Sequence, residues 1–271
     1  MIFMQEEFLR RLSLSAYRDN LILKGGMFIY TLTNFESRTT VDIDLLMKNM
    51  SNDLDQMGNA IKEIISIDTG NDFVRFEVVG TKPIAVNRKY PGVRTQIIGY
   101  IGNVRIPFDI DIGVDDVIFP KATMRTIQTQ LEDFEKPRVL TYSVESTIAE
   151  KLHAMLERFE LTGRMKDFYD MYYLCHTFNF DGNILKSAIE KTFIHRQVDY
   201  SKESFNRLVR LIDDQTMQKK WRLFTKKSGF EGLDFSEVML EFNTFMHPVW
   251  CALLDKEDMN KTWNCGLHEW Q

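Results

Sequence analysis

Asp42-Ile43-Asp44 sets two carboxylates two residues apart, sixteen residues after Gly26 of the segment Leu23-Lys24-Gly25-Gly26-Met27-Phe28. On a strand, residues i and i+2 point to the same side. Asp42 and Asp44 therefore share one face, and Val41, Ile43 and Leu45 share the other, where they can be buried. Neighbouring carboxylates repel when both are ionised. A hard divalent cation, Mg²⁺ or Mn²⁺, removes that repulsion because it prefers oxygen ligands. A Gly-Gly turn ahead of a helix offers backbone N–H groups and a positive helix end to a phosphate. The combination predicts metal-assisted nucleotidyl transfer from a nucleoside triphosphate.

A second acidic strand strengthens this reading. In the segment 104–112, Val104, Ile106, Phe108, Ile110 and Ile112 alternate with Arg105, Asp109 and Asp111. That is the period-two pattern of a half-buried strand. Pro107 lies on the acidic side and signals an edge or a bulge. Pairing this strand with Asp42-Ile43-Asp44 predicts a three-carboxylate cage, the kind that clamps attacking and leaving oxygens in phosphoryl-type displacements. An isolated Asp-x-Asp is common on solvated strand edges. The turn upstream and the second acidic strand downstream are what favour catalysis here.

The elements that must position these groups are legible in outline. Residues 4–18 read as an amphipathic helix, 21–24 as a short buried strand, 27–33 as a helix and 53–66 as another, with Leu54, Met57, Ile61 and Ile64 at helical spacing. Strand-like runs follow at 73–79, 84–87, 94–101 and 104–112. Their separators are Gly80, Pro83, Pro91-Gly92 and Gly102-Asn103, the last reading as a tight hairpin turn. After Pro120 the composition changes, and from Ser143 almost everything reads as helix: Ser143 as N-cap, then helices from about 166 and over 184–192, 201–221 and 234–246. The expected architecture is α/β (α+β), with a mixed-sheet domain over 1–140 and an all-helical domain over 141–271.

A chain of 271 residues, 44% hydrophobic and 27% charged, is long enough for a sizeable core and ordinary for a soluble protein. Its net charge of −5 supplies no global attraction for nucleic acid, so any such contact must use a local patch. Cys175, Cys251 and Cys265 are odd in number without a C-x-x-C, which fits reduced thiols. The five histidines show no metal-ligand spacing. No apolar signal core or membrane-length run is present, so the expected location is the cytoplasm.

In the second half, Asp167 and Asp170 fall one helical turn apart on one face. If Lys151 faces them across a helix hairpin, it can neutralise a triphosphate, and an aspartate there can orient or deprotonate an attacking hydroxyl. The bland alternative is acids favouring a helix N-terminus, with Lys151 and Arg164 solvated. A basic aromatic segment, Lys219, Lys220, Trp221, Arg222, Lys226 and Lys227, could grip RNA phosphates with Trp221 stacking on a base. It reads equally as a helix end with a buried Trp221 and a solvated lysine rim.

Five ordered motifs carry a resemblance. They are Leu23-Lys24-Gly25-Gly26; Arg38-Thr39-Thr40-Val41-Asp42-Ile43-Asp44-Leu45; Asp111-Ile112-Gly113; Glu145 with Ile148-Ala149-Glu150-Lys151-Leu152; and Arg164-Met165-Lys166-Asp167-Phe168-Tyr169-Asp170. With the closing Phe245-Met246-His247-Pro248-Val249, the sequence resembles the AbiEii/AbiGii toxin family, a branch of the nucleotidyltransferase superfamily. The resemblance implies a DNA-polymerase-β-like nucleotidyltransferase domain, a helical domain that completes the active site, and a toxin of a type IV toxin–antitoxin or abortive-infection system. It implies transfer from a nucleoside triphosphate, with the 3′ end of tRNA as acceptor, and a separately encoded antitoxin.

Carried over by motif, Lys24, Gly25, Gly26, Arg38 and Lys151 meet the nucleotide. Asp42, Asp44 and Asp111 hold the metal, and Lys151, Asp167 and Asp170 serve catalysis. Asp109 is an extra acid without a clear family counterpart. Met27 departs from the pattern, standing where relatives often carry Thr or Ser, so one phosphate donor is missing. Two other readings compete: a small-molecule, antibiotic-type nucleotidyltransferase, and a non-catalytic nucleotide-binding protein, against which the intact Asp42, Asp44 and Asp111 argue.

Overall fold

The structure, a computed structural model, describes residues 1–50, 53–84, 91–158 and 164–271. Packing divides the chain into two compact units, Met1–Asp116 with Lys121–Tyr142, and Val117–Pro120 with Ser143–Gln271.

The first unit runs α1(Ile2–Leu14), β1(Leu21–Lys24), α2(Gly25–Leu32), β2(Ile43–Met47), α3(Leu54–Ile65), β3(Val74–Ile84), β4(Gly92–Ile101), β5(Val104–Gly113), β6(Thr123–Thr126) and β7(Arg138–Thr141). Its seven strands form one mixed sheet in the order β3-β4-β5-β2-β1-β7-β6. Strands β1 and β2 pair antiparallel, whereas β2 with β5 and β1 with β7 pair parallel. The core is dense with β-branched and large apolar side chains: Leu21, Leu23, Ile43, Leu45, Leu46, Ile110 and Ile112 are all fully buried. Burying each is worth about 1.5–3 kcal/mol.

Several expectations shift. Strand β3 is continuous through Gly80 and Pro83, which are not separators. Gly80 marks a register bulge after Val78, and Pro83 is tolerated because β3 is the sheet edge. Residues 85–87 of the expected short strand lie outside the described residues. Pro107 sits where β5 has β4 on one side and β2 has not yet begun, since β2 joins only at Ile110. Gly102-Asn103 is a two-residue hairpin turn, with Ile101 opposite Val104 and Gly102 at φ +54°. Helix α1 ends at Leu14, earlier than predicted, where the Ser15 hydroxyl bonds back to the Leu12 carbonyl. It is buried even at its charged residues: Glu7 accepts from Arg10, Arg11, Thr69 and Asn71.

The second unit is helical, with α4(Val144–Arg158), α5(Met165–Thr177), β8(Phe180–Asp181), α6(Gly182–His195), α7(Lys202–Val209), α8(Gln215–Ser228), α9(Phe235–Asp255), β9(Thr262–Asn264) and β10(Glu269–Trp270). Ser143 caps α4, its hydroxyl accepting from the Ser146 N–H at 3.0 Å. The long helix expected over 201–221 is two, broken by a 3-10 turn at Arg210–Asp213 and restarted by Asp214, which caps α8. Helix α9 runs through Pro248 because Val249, Trp250 and Leu253 are buried beyond it. The helices also carry an unexpected three-stranded antiparallel sheet in the order β10-β9-β8, whose strands are too short for a periodic signal. No helix among the described residues is long and apolar enough to cross a membrane.

Candidate active site

The chain passes from β1 into α2 with no intervening loop. Gly25 adopts φ +65°, and a Cβ there would lie 2.1 Å from Asp44 Oδ2. Only glycine allows both the backbone conformation and that approach. At Gly26 a Cβ would meet Thr40 Oγ1 at 2.8 Å, with Arg38 Nη2 at 3.6 Å. The first turn of α2 has no side-chain cap and opens beside the Asp44 carboxylate. A helix N-terminus of this kind offers N–H groups and partial positive charge.

Strand register then lines up four charges. Lys24 on β1 is opposite Asp44 on β2, Asp44 is opposite Asp111 on β5, and Asp111 is opposite Arg94 on β4. The order across the sheet is plus, minus, minus, plus. Arg94 grips Asp111 with two donors, Nε to Oδ1 at 2.6 Å and Nη2 to Oδ2 at 2.5 Å, and its Nη1 lies 3.2 Å from Asp109. The Asp111 hydrogen bonds outweigh burial and, with the charges of Asp109 and Asp42, raise the already high Arg94 pKa. Lys24 Nζ reaches Asp116 at 3.0 Å and lies 5.1 Å from the centre of the Tyr142 ring. Asp42 is half-buried, one residue ahead of β2. Val41, expected inside, is 59% exposed, because the strand has not yet begun there; its carbonyl accepts from the Gln5 amide.

Among the described residues, Asp42, Asp44 and Asp111 do not bring one ligand atom each within 4.8 Å of one another, and an arginine fork holds both Asp111 oxygens. The pairing of Arg94 with Asp111 is what the motifs do not announce. The Gly102-Asn103 turn could have found it, since counting back from that turn pairs Arg94 with Asp111.

In the second unit the structure does bring Lys151, Asp167 and Asp170 together. Lys151 Nζ is 3.1 Å from Asp167 Oδ1 and 2.5 Å from Asp170 Oδ2. Arg164, at the head of α5, also pairs with Asp167. Both carboxylates are 1% exposed, and Lys151 is buried too, so a solvated rim is excluded. Burial pushes the Asp167 carboxyl up, but the Lys151 and Arg164 charges outweigh it and hold it below the usual carboxylate value.

The basic segment lies on α8. Met217, Trp221 and Thr225 face inward, while Lys219, Arg222, Lys226 and Lys227 are exposed and Lys220 is half-buried. Trp221 is not free to stack on a base: it is 1% exposed and its indole N–H donates to the Leu233 carbonyl at 2.7 Å. Among the basic residues earlier in the chain, Arg88 and Lys89 lie outside the described residues, and Arg94 is engaged with Asp111.

The family model described as nucleotidyl transferase AbiEii toxin, type IV TA system, matches residues 7–254. Among solved structures, the chain is similar to MenT4, a nucleotidyltransferase toxin from Mycobacterium tuberculosis, at 16% identity and a TM-score of 0.52, covering 94% of this chain and 92% of that one. It is also similar to JHP933 from Helicobacter pylori, at 14% identity and a TM-score of 0.53, covering 93% and 94%. At these identities the likeness concerns the fold. No curated protein sequence matches the chain. The match across nearly its whole length shows that this chain belongs to the AbiEii family of nucleotidyltransferase toxins of type IV toxin–antitoxin systems.

Proposed function

We propose that this toxin transfers a nucleotide from a nucleoside triphosphate to the 3′ end of tRNA, with Mg²⁺ or Mn²⁺ as cofactor. The observation that carries the reading is Gly25, whose missing side chain leaves the start of α2 directly against the Asp44 carboxylate. A triphosphate seated at the α2 N-terminus would then have Asp44 and Asp42 at its side. The donor set is all oxygen, which suits a hard cation. Asp42 and Asp44 would hold the ion, and Asp111 shares its carboxylate with Arg94. When bound, the ion offsets phosphate charge and favours ionisation of the attacking hydroxyl.

The chain's own groups do the rest. The α2 amides and Arg38 orient the triphosphate, and Lys24 adds positive charge beside it. Arg94 holds Asp111 in place with two hydrogen bonds. By motif, Lys151, Asp167 and Asp170 serve the same reaction in the second unit, with Lys151 as counter-charge and Asp167 and Asp170 fixing it. The exposed lysines and arginine of α8 supply phosphate contacts for an RNA without reading bases. The chain works in the cytoplasm beside a cognate antitoxin. Incubation with labelled nucleotides, Mg²⁺ and either total tRNA or small-molecule acceptors tests the reading. Label in tRNA supports it, and label in an aminoglycoside-like small molecule alone would replace it with the antibiotic-type reading.

A further inference from the structure

The helical unit holds a second cluster of ligand-type side chains that the reaction above does not use. Cys175 and His176 are adjacent near the C-terminal end of α5, and Glu241 lies on α9. One ligand atom from each lies within 4.8 Å of the others, the one such trio among the described residues. The β9–β10 hairpin folds back beside them, with Cys265-Gly266-Leu267-His268 as its turn. His268 Nδ1 is 3.0 Å from Glu241 Oε1, and the His268 and His176 rings are 4.1 Å apart between centres. The turn is built firmly. Asn264 Oδ1 accepts from the Gly266 and Leu267 N–H groups, and the Cys265 N–H donates to Asn179.

The chemistry of these donors differs from that of the aspartate site. A thiol, an imidazole and a carboxylate form a mixed soft and borderline set, which selects zinc-like ions over Mg²⁺. The ring nitrogens that face the cluster are both Nδ1: His176 Nδ1 is 3.5 Å from Cys175 Sγ, and His268 Nδ1 is 3.0 Å from Glu241 Oε1. Donor atoms at such spacings can share one tetrahedral ion, which would take the place of the contact between His176 Nδ1 and the Tyr172 carbonyl. The cysteines are free thiols, and Cys175 is buried.

We propose that Cys175, His176 and Glu241 form a transition-metal site of the zinc class, with His268 of the C-terminal hairpin as fourth donor. The bound ion clips the hairpin to α5 and α9. Packing has already brought these parts together: the Trp263 indole donates to the Cys175 carbonyl at 2.7 Å, and the Trp270 indole to the Phe245 carbonyl at 2.9 Å. The ligands come from three separate stretches of the chain, Cys175-His176, Glu241 and His268, which is why no spacing motif announces them.

The test uses the untagged full chain carrying Asp42→Ala and Asp44→Ala, so that the oxygen site is silent, after dialysis against a chelator. Zn²⁺ and Co²⁺ are then titrated with Mg²⁺ in excess. The proposal expects one tight ion per chain, a thiolate-to-cobalt charge-transfer band, and a melting temperature that rises with Zn²⁺. His176→Gln and Glu241→Gln, both at half-buried positions, should each weaken Zn²⁺ binding by about tenfold or more. Circular dichroism of the metal-free variants confirms that they fold. Absence of the thiolate band, or an unchanged band and affinity in the His176→Gln/Glu241→Gln double variant, would overturn the proposal.

Discussion

Asp44 on β2 stands directly opposite Asp111 on the parallel strand β5. Like charges so placed oppose sheet pairing by up to about 1 kcal/mol. The sheet tolerates the pair because Lys24 and Arg94 occupy the flanking register positions, and Arg94 holds both Asp111 oxygens. The two aspartates are thus held side by side before any substrate arrives. Such preorganisation lowers the cost of reaching a charged transition state.

Removing Arg94 should expose this arrangement. Arg94→Gln leaves the Asp111 carboxylate without its fork, and the metal-free protein should lose about 1–2 kcal/mol, the scale of charge-assisted hydrogen bonds at a partly exposed site. Mg²⁺ should restore more stability to this variant than to the parent chain. Thermal melts with and without Mg²⁺ check it, and identical melts for both proteins would mean that Arg94 is an ordinary surface partner.

Gly25→Ala should be far more damaging than its size suggests. The new methyl would overlap the Asp44 carboxylate at a positive φ. A stability loss of about 1–3 kcal/mol is expected from the strain, together with loss of nucleotide binding. Gly26→Ala meets the Thr40 side chain and, at 3.6 Å, the end of the flexible Arg38 side chain, and should be milder. Nucleotide affinity and urea midpoints for the two variants, measured together, check the ranking.

The buried cluster of the second unit should make stability acid-sensitive. In the unfolded chain the Asp167 carboxyl titrates near its ordinary 3.8, and in the folded chain lower. Between those values the unfolded state binds more protons, so stability is present above about pH 4 and is lost as pH falls through the folded value. Lys151→Met should cost about 3–5 kcal/mol, because it leaves two buried carboxylates without their shared cation. Urea unfolding across an acid series checks both statements. A Lys151→Met protein as stable as the parent would show the cluster to be solvated in solution.

On α8, neutral substitutions at Lys219, Lys220, Arg222, Lys226 and Lys227 should weaken tRNA binding and flatten its salt dependence, since each lost phosphate contact releases fewer counterions. Trp221 is left alone because it is core. Binding across a salt series is the measurement, and an unchanged slope and affinity would reduce this face to solvation.

How far these features were legible in the sequence depends on how local their signals are. The Gly25-Gly26 turn, the Asp42-Ile43-Asp44 pair, the Gly102-Asn103 hairpin and the Ser143 cap each announce themselves within a few residues. Arg94 was hidden because its role comes from cross-strand register rather than from its neighbours. The reach of α9 was hidden because Pro248 reads as a stop, while burial of Val249, Trp250 and Leu253 carries the helix on. Trp221 was ambiguous because a basic rim looks the same whether the aromatic in its middle points outward or inward. Strands β8, β9 and β10 are held by tertiary contacts alone.

The central claim is tested most directly by incorporation of labelled nucleotide into purified tRNA with Mg²⁺, beside tRNA whose terminal ribose has been oxidised by periodate. The account predicts label at the 3′ end of intact tRNA, none in oxidised tRNA, and none with Asp42→Ala or Asp44→Ala, although both variants fold normally. Full incorporation by either variant, or label entering oxidised tRNA equally well, would contradict it.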